Sequence, residues 1–316
     1  MRCIAPEAAL SDQGLSASKV RPATALVMAA FAAVYVIWGS TYLGIRLAID
    51  SIPPFLMAGS RFVLAGAILY GAMRLRGAAR PTFPQWKSAA VIGGLLLLGG
   101  NGGVSWAQQF VPSGIAALVV AAVPLWIILV DWLRPKGTRP RSVVWIGLAI
   151  GFVGVALIVA GKNQLGHRIV HAAGAAALVF ATMAWAVGSV YSRHAPKPDS
   201  ALLAVAMQMI AGGALQLCAG LALGEFTRLN VAQITPTSAW AFVYLTLIGS
   251  LVGFTAYVWL LQVSTPARVS TYAYVNPLIA VFLGHLVLKE EVPKTVALAG
   301  ALILAAVILI TRYGNK

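Results

Sequence analysis

Long apolar runs separated by short polar stretches recur along the whole chain after its first two dozen residues, and charged residues gather at the borders of the runs. A helix needs roughly 20 mostly apolar residues to cross a bilayer. Ten such spans are predicted, at about 24–45, 55–73, 88–108, 113–133, 142–160, 171–192, 200–223, 239–261, 267–288 and 294–312. Hydrocarbon offers no partner to backbone N–H and C=O groups, so runs of this kind are helices. The predicted connections reach at most about fifteen residues, too few to hold an extramembrane domain. The fold class expected is all-α integral membrane, with ten transmembrane helices.

The spans come in two sets. Trp106-x2-Gln109, Pro124-Leu125, Lys136-x3-Pro140 and Gly147 recur as Trp259-x2-Gln262, Pro277-Leu278, Lys289-x3-Pro293 and Gly300, at a constant offset of 153 residues. Further upstream the offset becomes 147: Trp38 meets Trp185, Arg46 meets Arg193, Gly66-Ala67 meets Gly213-Ala214, and Arg61 falls opposite Gln208. The expected organisation is a tail, 1–23, then a first five-helix repeat, 24–160, and a second, 161–316. Five spans separate equivalent positions, and an odd number turns the second copy upside down. Inverted repeats point to alternating-access carriers.

Composition agrees. Of 316 residues 60% are hydrophobic and 10% charged, against about 25% charged in a soluble domain, and the mean hydropathy is +0.86. The formal charge of +15 would suit nucleic acid, but its placement argues for topology instead. With the N-terminus inside, cytoplasmic segments carry most of the Lys and Arg, in clusters such as Arg74, Arg76, Arg80 and Lys87, or Arg134, Lys136, Arg139 and Arg141. That is the positive-inside bias, with both termini in the cytoplasm and no nucleic-acid partner. The loop equivalent to the second cluster reads Lys289, Glu290, Glu291, Lys294. The same structural loop carries a different charge because the two copies face opposite sides of the membrane. Cys3 and Cys218 form no disulfide framework. Residues 1–20 hold Glu7 and Asp12 and no apolar core, so a cytoplasmic tail is expected there and not a signal peptide.

These features resemble the EamA-type repeats of the drug/metabolite transporter superfamily. The resemblance is carried by Trp38-Gly39-Ser40, Arg61-Phe62, Val123-Pro124-Leu125, Val275-Asn276-Pro277-Leu278, and Lys289-Glu290-Glu291 leading into Leu298-Ala299-Gly300-Ala301-Leu302. It implies ten helices in two inverted five-helix repeats around a central cavity, with spans one to four and six to nine surrounding it and spans five and ten peripheral. It also implies a carrier in a bacterial-type inner membrane, similar to the YddG-like exporters that move amino acids. Multidrug and sugar or nucleotide-sugar carriers belong to the same superfamily. The chain departs from the repeat pattern at Gly137 and Thr138, which stand where Glu290 and Glu291 stand in the second copy.

Polar groups at membrane depth are costly and face protein or a wet cavity. The candidate substrate-binding residues are Trp38 and Tyr42 in the first span, Asn101 in the third, Trp185 in the sixth, Gln208 in the seventh, and Tyr272 and Asn276 in the ninth. Indole and phenol rings would cover the apolar part of an amphipathic solute while amides orient its polar part. Trp106, Gln109, Trp259 and Gln262 fit either this cavity or an interfacial aromatic belt, and Thr255 shares a helical face with the last two. Ser105 and Gln108 share a face with Asn101. Arg61 could meet a substrate carboxylate, snorkel outward, or pair with a backbone carbonyl. Asp131 beside Arg134 reads as a local ion pair. Pro124 and Pro277, each near the middle of a span, are candidate hinges, because proline removes one helical hydrogen bond and bends the helix. Gly147, Gly151 and Gly154 form a small-residue packing face whose partner is either this chain or a second copy.

An intramembrane enzyme would need a zinc motif, an Asp pair or a Cys–His arrangement at membrane depth, and none is present. No catalytic residue, metal or cofactor is expected. With Asp131 the sole acidic residue inside a span, proton coupling has little support, and facilitated export or exchange is favoured. The function expected is secondary export of small amphipathic metabolites, amino acids including aromatic ones foremost. The bilayer and the solute are the expected partners, with the chain as monomer or homodimer.

Overall fold

A computed structural model describes residues 24–134, 142–160, 171–264, 269 and 272–313. Residues 1–23, the basic loop of Lys136, Arg139 and Arg141 with Gly137 and Thr138, Lys162, Arg168, Arg268 and Lys316, and the Gln262 and Tyr274 side chains lie outside the described part. The described chain is helical throughout its spans: α1 (Thr24–Ala48), α2 (Pro54–Leu75), α3 (Phe83–Ala107), α4 (Ser113–Leu133), α5 (Ser142–Ala160), α6 (Ala172–Ser192), α7 (Ala201–Ala222), α8 (Pro236 to Val263), α9 (Tyr272–Leu288) and α10 (Lys294–Tyr313). Seven are long and apolar enough to cross a membrane, and shorter apolar stretches occupy α5, α9 and α10.

Local chemistry starts several helices. The Ser200 hydroxyl accepts from Leu203 N at 3.3 Å ahead of α7, and Thr235 Oγ1 accepts from Ser238 N at 3.2 Å ahead of α8, each meeting one of the N–H groups a helix start leaves unpaired. Gln85 Oε1 reaches back to Thr82 N at 2.9 Å before α3. Pro54 and Pro236 stand in first turns, where the missing N–H costs nothing.

Hydrogen bonds and an ion contact show which helix ends share a side. At one end Ser51 meets Thr235, Leu47 meets Ser238, Leu56 meets Glu225 and Ser113 meets Glu290. At the other end Arg134 meets His194, Arg193 meets Asp131 and Gln85 meets Lys197. Consecutive spans therefore run antiparallel, and the fifth separates two copies of opposite sense.

Packing follows the same pseudo-symmetry. Helices α2 and α7 cross through equivalent glycines: a Cβ on Gly66 would lie 2.9 Å from Ala206 O, and one on Gly213 would lie 2.8 Å from Gly59 O. Such an approach lets the two backbones touch, the packing used where lipid provides no hydrophobic drive. The partner of the Gly147, Gly151 and Gly154 face lies within the chain: Ile310, Ala306 and Ile303 of α10 fill it, with Leu125 of α4 also against Gly151. Helices α5 and α10 form a packed pair at the side of the molecule.

Two departures from regular helix matter. Helix α3 carries a π-helical stretch, Gly94–Gly102, and α8 carries another, Leu245–Val252. By the repeat offset these are near-equivalent positions. Helix α4 is broken at Ala121 and Ala122, where Ala122 N donates to Val119 O and Leu125 N to Ala122 O, both at 3.0 Å. Pro124 sits in the first turn of the segment that resumes, Val123–Leu133. Pro277, its equivalent, lies inside the continuous helix α9. The two prolines thus hold equivalent places in sequence but differ in form: one follows a break and the other interrupts bonding within an unbroken helix.

Candidate functional site

A chamber of about 1290 Å³ occupies the centre of the molecule. Helices α1 to α4 and α6 to α9 supply most of its wall, while α5 and α10 add only Val144, Val307 and Ile310. The chamber runs to the side where α6 ends and α7 begins, and Arg193, Lys197 and Asp199 stand at that mouth, exposed.

The chamber lining stops short of the opposite end, where two carboxylates tie helices together. Glu290 Oε1 accepts from Ser113 N at 2.7 Å, and its Oε2 accepts from Ser113 Oγ at 3.0 Å and Gly114 N at 3.1 Å, so it caps α4. Glu225, in the short helix Glu225–Arg228 after α7, is buried and accepts from Leu56 N at 2.9 Å in the first turn of α2. Each places negative charge on the positive end of a helix dipole. Burial pushes the Glu225 carboxyl up, opposed by the Leu56 and Phe55 N–H groups and by Arg228.

Trp38, Tyr42, Asn101, Trp185, Gln208, Tyr272 and Asn276 all line this one chamber, as do Pro124 and Pro277. The indoles sit where the repeat would put them. The Trp185 ring lies on Gly100, where a Cβ would be 2.8 Å from Cε3, and the Trp38 ring lies on Gly253, where a Cβ would be 2.5 Å from Nε1. Trp38 and Trp185 are equivalents at the 147 offset, and Gly100 and Gly253 at the 153 offset, so each copy lends its indole to the other's glycine. Around Trp38 stand Phe254, Tyr257 and Tyr272, with ring centroids at 5.2, 5.0 and 5.1 Å. With its amide nitrogen turned toward them, Asn276 donates to Tyr272 O at 3.1 Å and Tyr35 O at 3.2 Å, tying α9 to α1.

The face of α8 that meets the chamber is Phe254, Tyr257 and Val258, not the face of Thr255 and Trp259. Thr255 is exposed and Trp259 packs beside Val34, Leu260 and Val269. The π-helical stretch just before them explains the shift: each wide turn takes an extra residue and rotates the helix face that follows. Trp106 packs on Phe110 at 5.0 Å and is likewise off the chamber. Ser105 and Gln108, on the Asn101 face, are buried with unpartnered polar atoms.

Arg61 is in the chamber wall and 3% exposed. Its Nη2 donates to Asn101 Oδ1 at 2.7 Å, its guanidinium carbon lies 4.3 Å from the Phe62 ring centroid, and its Nε has no partner. It neither snorkels nor reaches a carboxylate. Asp131 is at the mouth, 2.9 Å from Arg134 Nε and 3.8 Å from Arg193 Nη1, a local ion cluster. His285 Nδ1 lies 3.1 Å from Glu290 O beside the closed end.

The sequence profile of the EamA-like transporter family matches this chain twice, over residues 24–160 and 172–312. The chain is 40% identical over 281 residues to the uncharacterised inner membrane transporter YedA of Escherichia coli (strain K12), a match covering 88% of each chain. It is 24% identical over 294 residues to a protein of the same strain named as a probable amino-acid metabolite efflux pump, covering 88% of this chain and 90% of that one. A solved crystal structure superposes with a TM-score of 0.62 at 22% identity, over 92% of this chain and 98% of that one, a likeness of fold. With eight helices walling one chamber and a family match on each half, the chain belongs to the EamA-like transporter family.

Proposed function

We propose that this protein exports small amphipathic metabolites, amino acids with aromatic side chains foremost, across a bacterial-type inner membrane by alternating access. The observation that supports this reading is the wall of the chamber: Trp38, Trp185, Tyr42 and Tyr272 provide ring faces, and Asn101, Gln208 and Asn276 provide amides among them. A solute with an apolar body and a polar head fits that mixture. Both repeats of one chain supply the chamber lining among the described residues, and the working unit in this reading is a monomer or a homodimer.

The positive-inside bias sets the Arg193 mouth and both termini in the cytoplasm, which makes the described state one that loads from inside. Residues 1–23 are then a cytoplasmic tail, with 24–160 and 161–316 as the two repeat units. Helix α4 flexes at the break that precedes Pro124, and α9 flexes at Pro277. Asp131, engaged with Arg134 and Arg193, is not poised as a proton relay, so the reading is facilitated export or exchange. The efflux pump relative is consistent with amino acids as cargo.

Counterflow into liposomes holding the purified protein tests this. Labelled phenylalanine and tyrosine accumulate against their unlabelled forms, and an imposed pH gradient leaves the rate unchanged. Movement of a nucleotide sugar with no movement of any amino acid overturns the substrate assignment, and strong gradient dependence overturns the uncoupled mechanism.

A further inference from the structure

We propose that Arg61, held by Asn101, is the docking point for a carboxylate on the transported solute, so that the carrier takes organic carboxylates with an aromatic or apolar body and rejects organic cations. The inference deepens the export reading and rests on it.

A guanidinium has five N–H donors and stays charged. Among the described residues, Arg61 has one polar partner, the neutral Asn101 Oδ1, together with the face of Phe62. Asp131, the carboxylate in the chamber wall at membrane depth, is committed to Arg134 and Arg193 at the mouth. A buried cation without a counter-ion is costly, and a cavity is where an incoming anion can supply one. The planar fork of arginine matches a carboxylate with two parallel hydrogen bonds; Nε is buried without a partner, so the two terminal nitrogens, Nη1 and Nη2, are the ones that meet the solute. The hydrogen bond from Nη2 to Asn101 holds the group in the wall.

The surroundings define the rest of the solute. Gly100, next to Asn101, is where the Trp185 indole lies. A carboxylate on Arg61 therefore brings the attached body alongside an aromatic face. Arg61 lies two turns into α2 from the closed end, so the solute enters carboxylate first. Its repeat-equivalent, Gln208, also lines the chamber but carries no charge, so the second repeat offers no matching anion site at that depth.

Four compounds sharing one phenyl ring separate the possibilities: 3-phenylpropanoate, phenylalanine, 3-phenylpropanamide and phenethylamine. Binding to the purified full chain and counterflow in liposomes are measured for each. The two carboxylates bind about tenfold or more tightly than the amide, and the amine neither binds nor moves. Arg61→Gln brings the carboxylates down to the amide's level and leaves the amide within twofold. Arg61→Lys, which keeps the charge but not the fork, and Asn101→Ala give intermediate ratios, and each variant is compared only as a monodisperse protein. An unchanged carboxylate-to-amide ratio in all three variants, or an amine handled as well as the carboxylates, overturns the anchor while the carrier stands. No movement of any of the four compounds overturns the carrier reading and the anchor together.

Discussion

Glu290 grips Ser113 through both backbone and side chain, Oε1 on its N at 2.7 Å and Oε2 on its Oγ at 3.0 Å, and so joins the end of α9 to the start of α4. The two residues lie 177 positions apart, in different repeats. Lys289, at φ 55, turns the chain out of α9 in the left-handed conformation usually taken by glycine, and Glu290 N then donates to Gly284 O at 3.2 Å. Gly284 leaves the room: a side chain there would meet the Glu290 carboxylate and Ser113 Oγ. The carboxylate acts as a latch across the repeats at the closed end of the chamber.

Releasing this latch favours opening at that end. Charge-assisted hydrogen bonds contribute roughly 1.5–3 kcal/mol each, and water replaces part of that, so Glu290→Ala shifts the balance by about tenfold or more. Ala116, fully buried on α4, reports it. A cysteine placed there is alkylated by a membrane-impermeant maleimide about tenfold faster when Glu290 is alanine. Equal rates in both backgrounds would show that the contact holds nothing shut.

The glycines beneath the indoles are open to a similar test. A methyl group on Gly100 or Gly253 needs space that Trp185 or Trp38 occupies, so each alanine variant forces its ring into the chamber. KM for an aromatic solute rises about fivefold, near the 1 kcal/mol end of overpacking costs, with the variants still folded. Gly71 on α2, where an added methyl would have nothing within 4 Å, is the control: Gly71→Ala leaves transport unchanged and raises stability by up to about 1 kcal/mol in thermal melts.

Pro124→Ala and Pro277→Ala will not behave alike. Pro124 stands in a first turn, where no helical bond is missing. Pro277→Ala restores a bond inside α9, stiffening it by about 1 kcal/mol. Transport by Pro277→Ala falls about fivefold while Pro124→Ala stays closer to the parent rate. Parent rates in both variants would remove the hinge role from these residues.

Glu225 predicts a pH dependence. Its carboxyl is pushed up by burial, so the folded protein holds this proton more tightly than the unfolded chain does. The stability it contributes is fully present below the unfolded glutamate range and is lost as pH rises through the folded value. Melting temperatures in detergent, parent minus Glu225→Gln, are therefore more positive at pH 5 than at pH 8. A difference that does not vary with pH, or that grows toward alkali, contradicts this.

The span pattern, the repeat and the chamber's aromatic and amide residues were legible because membrane solvation constrains sequence strongly. Apolar length marks a helix, charge at its ends marks a side, and rare residues such as Trp38, Trp185, Pro124 and Pro277 stay in register across a duplication. Those properties are local or periodic, and they placed Trp38, Tyr42, Asn101, Trp185, Gln208, Tyr272 and Asn276 on what proved to be one chamber wall. The facing of α8 was not legible. Its π-helical stretch rotates Phe254 and Tyr257 inward and Thr255 outward, and a wide turn is set by how the helix packs, not by residue spacing. Nor did any local feature assign Arg61 to Asn101, or Glu290 to Ser113, because each pair joins residues distant in the chain that meet only when helices dock. The sequence alone determined what crosses the membrane and how often. Which helix ends are tied together by Glu290 and Glu225, and that Arg61 meets the neutral Asn101 and not a carboxylate among the described residues, was decided by tertiary packing, since both depend on the distances between helices.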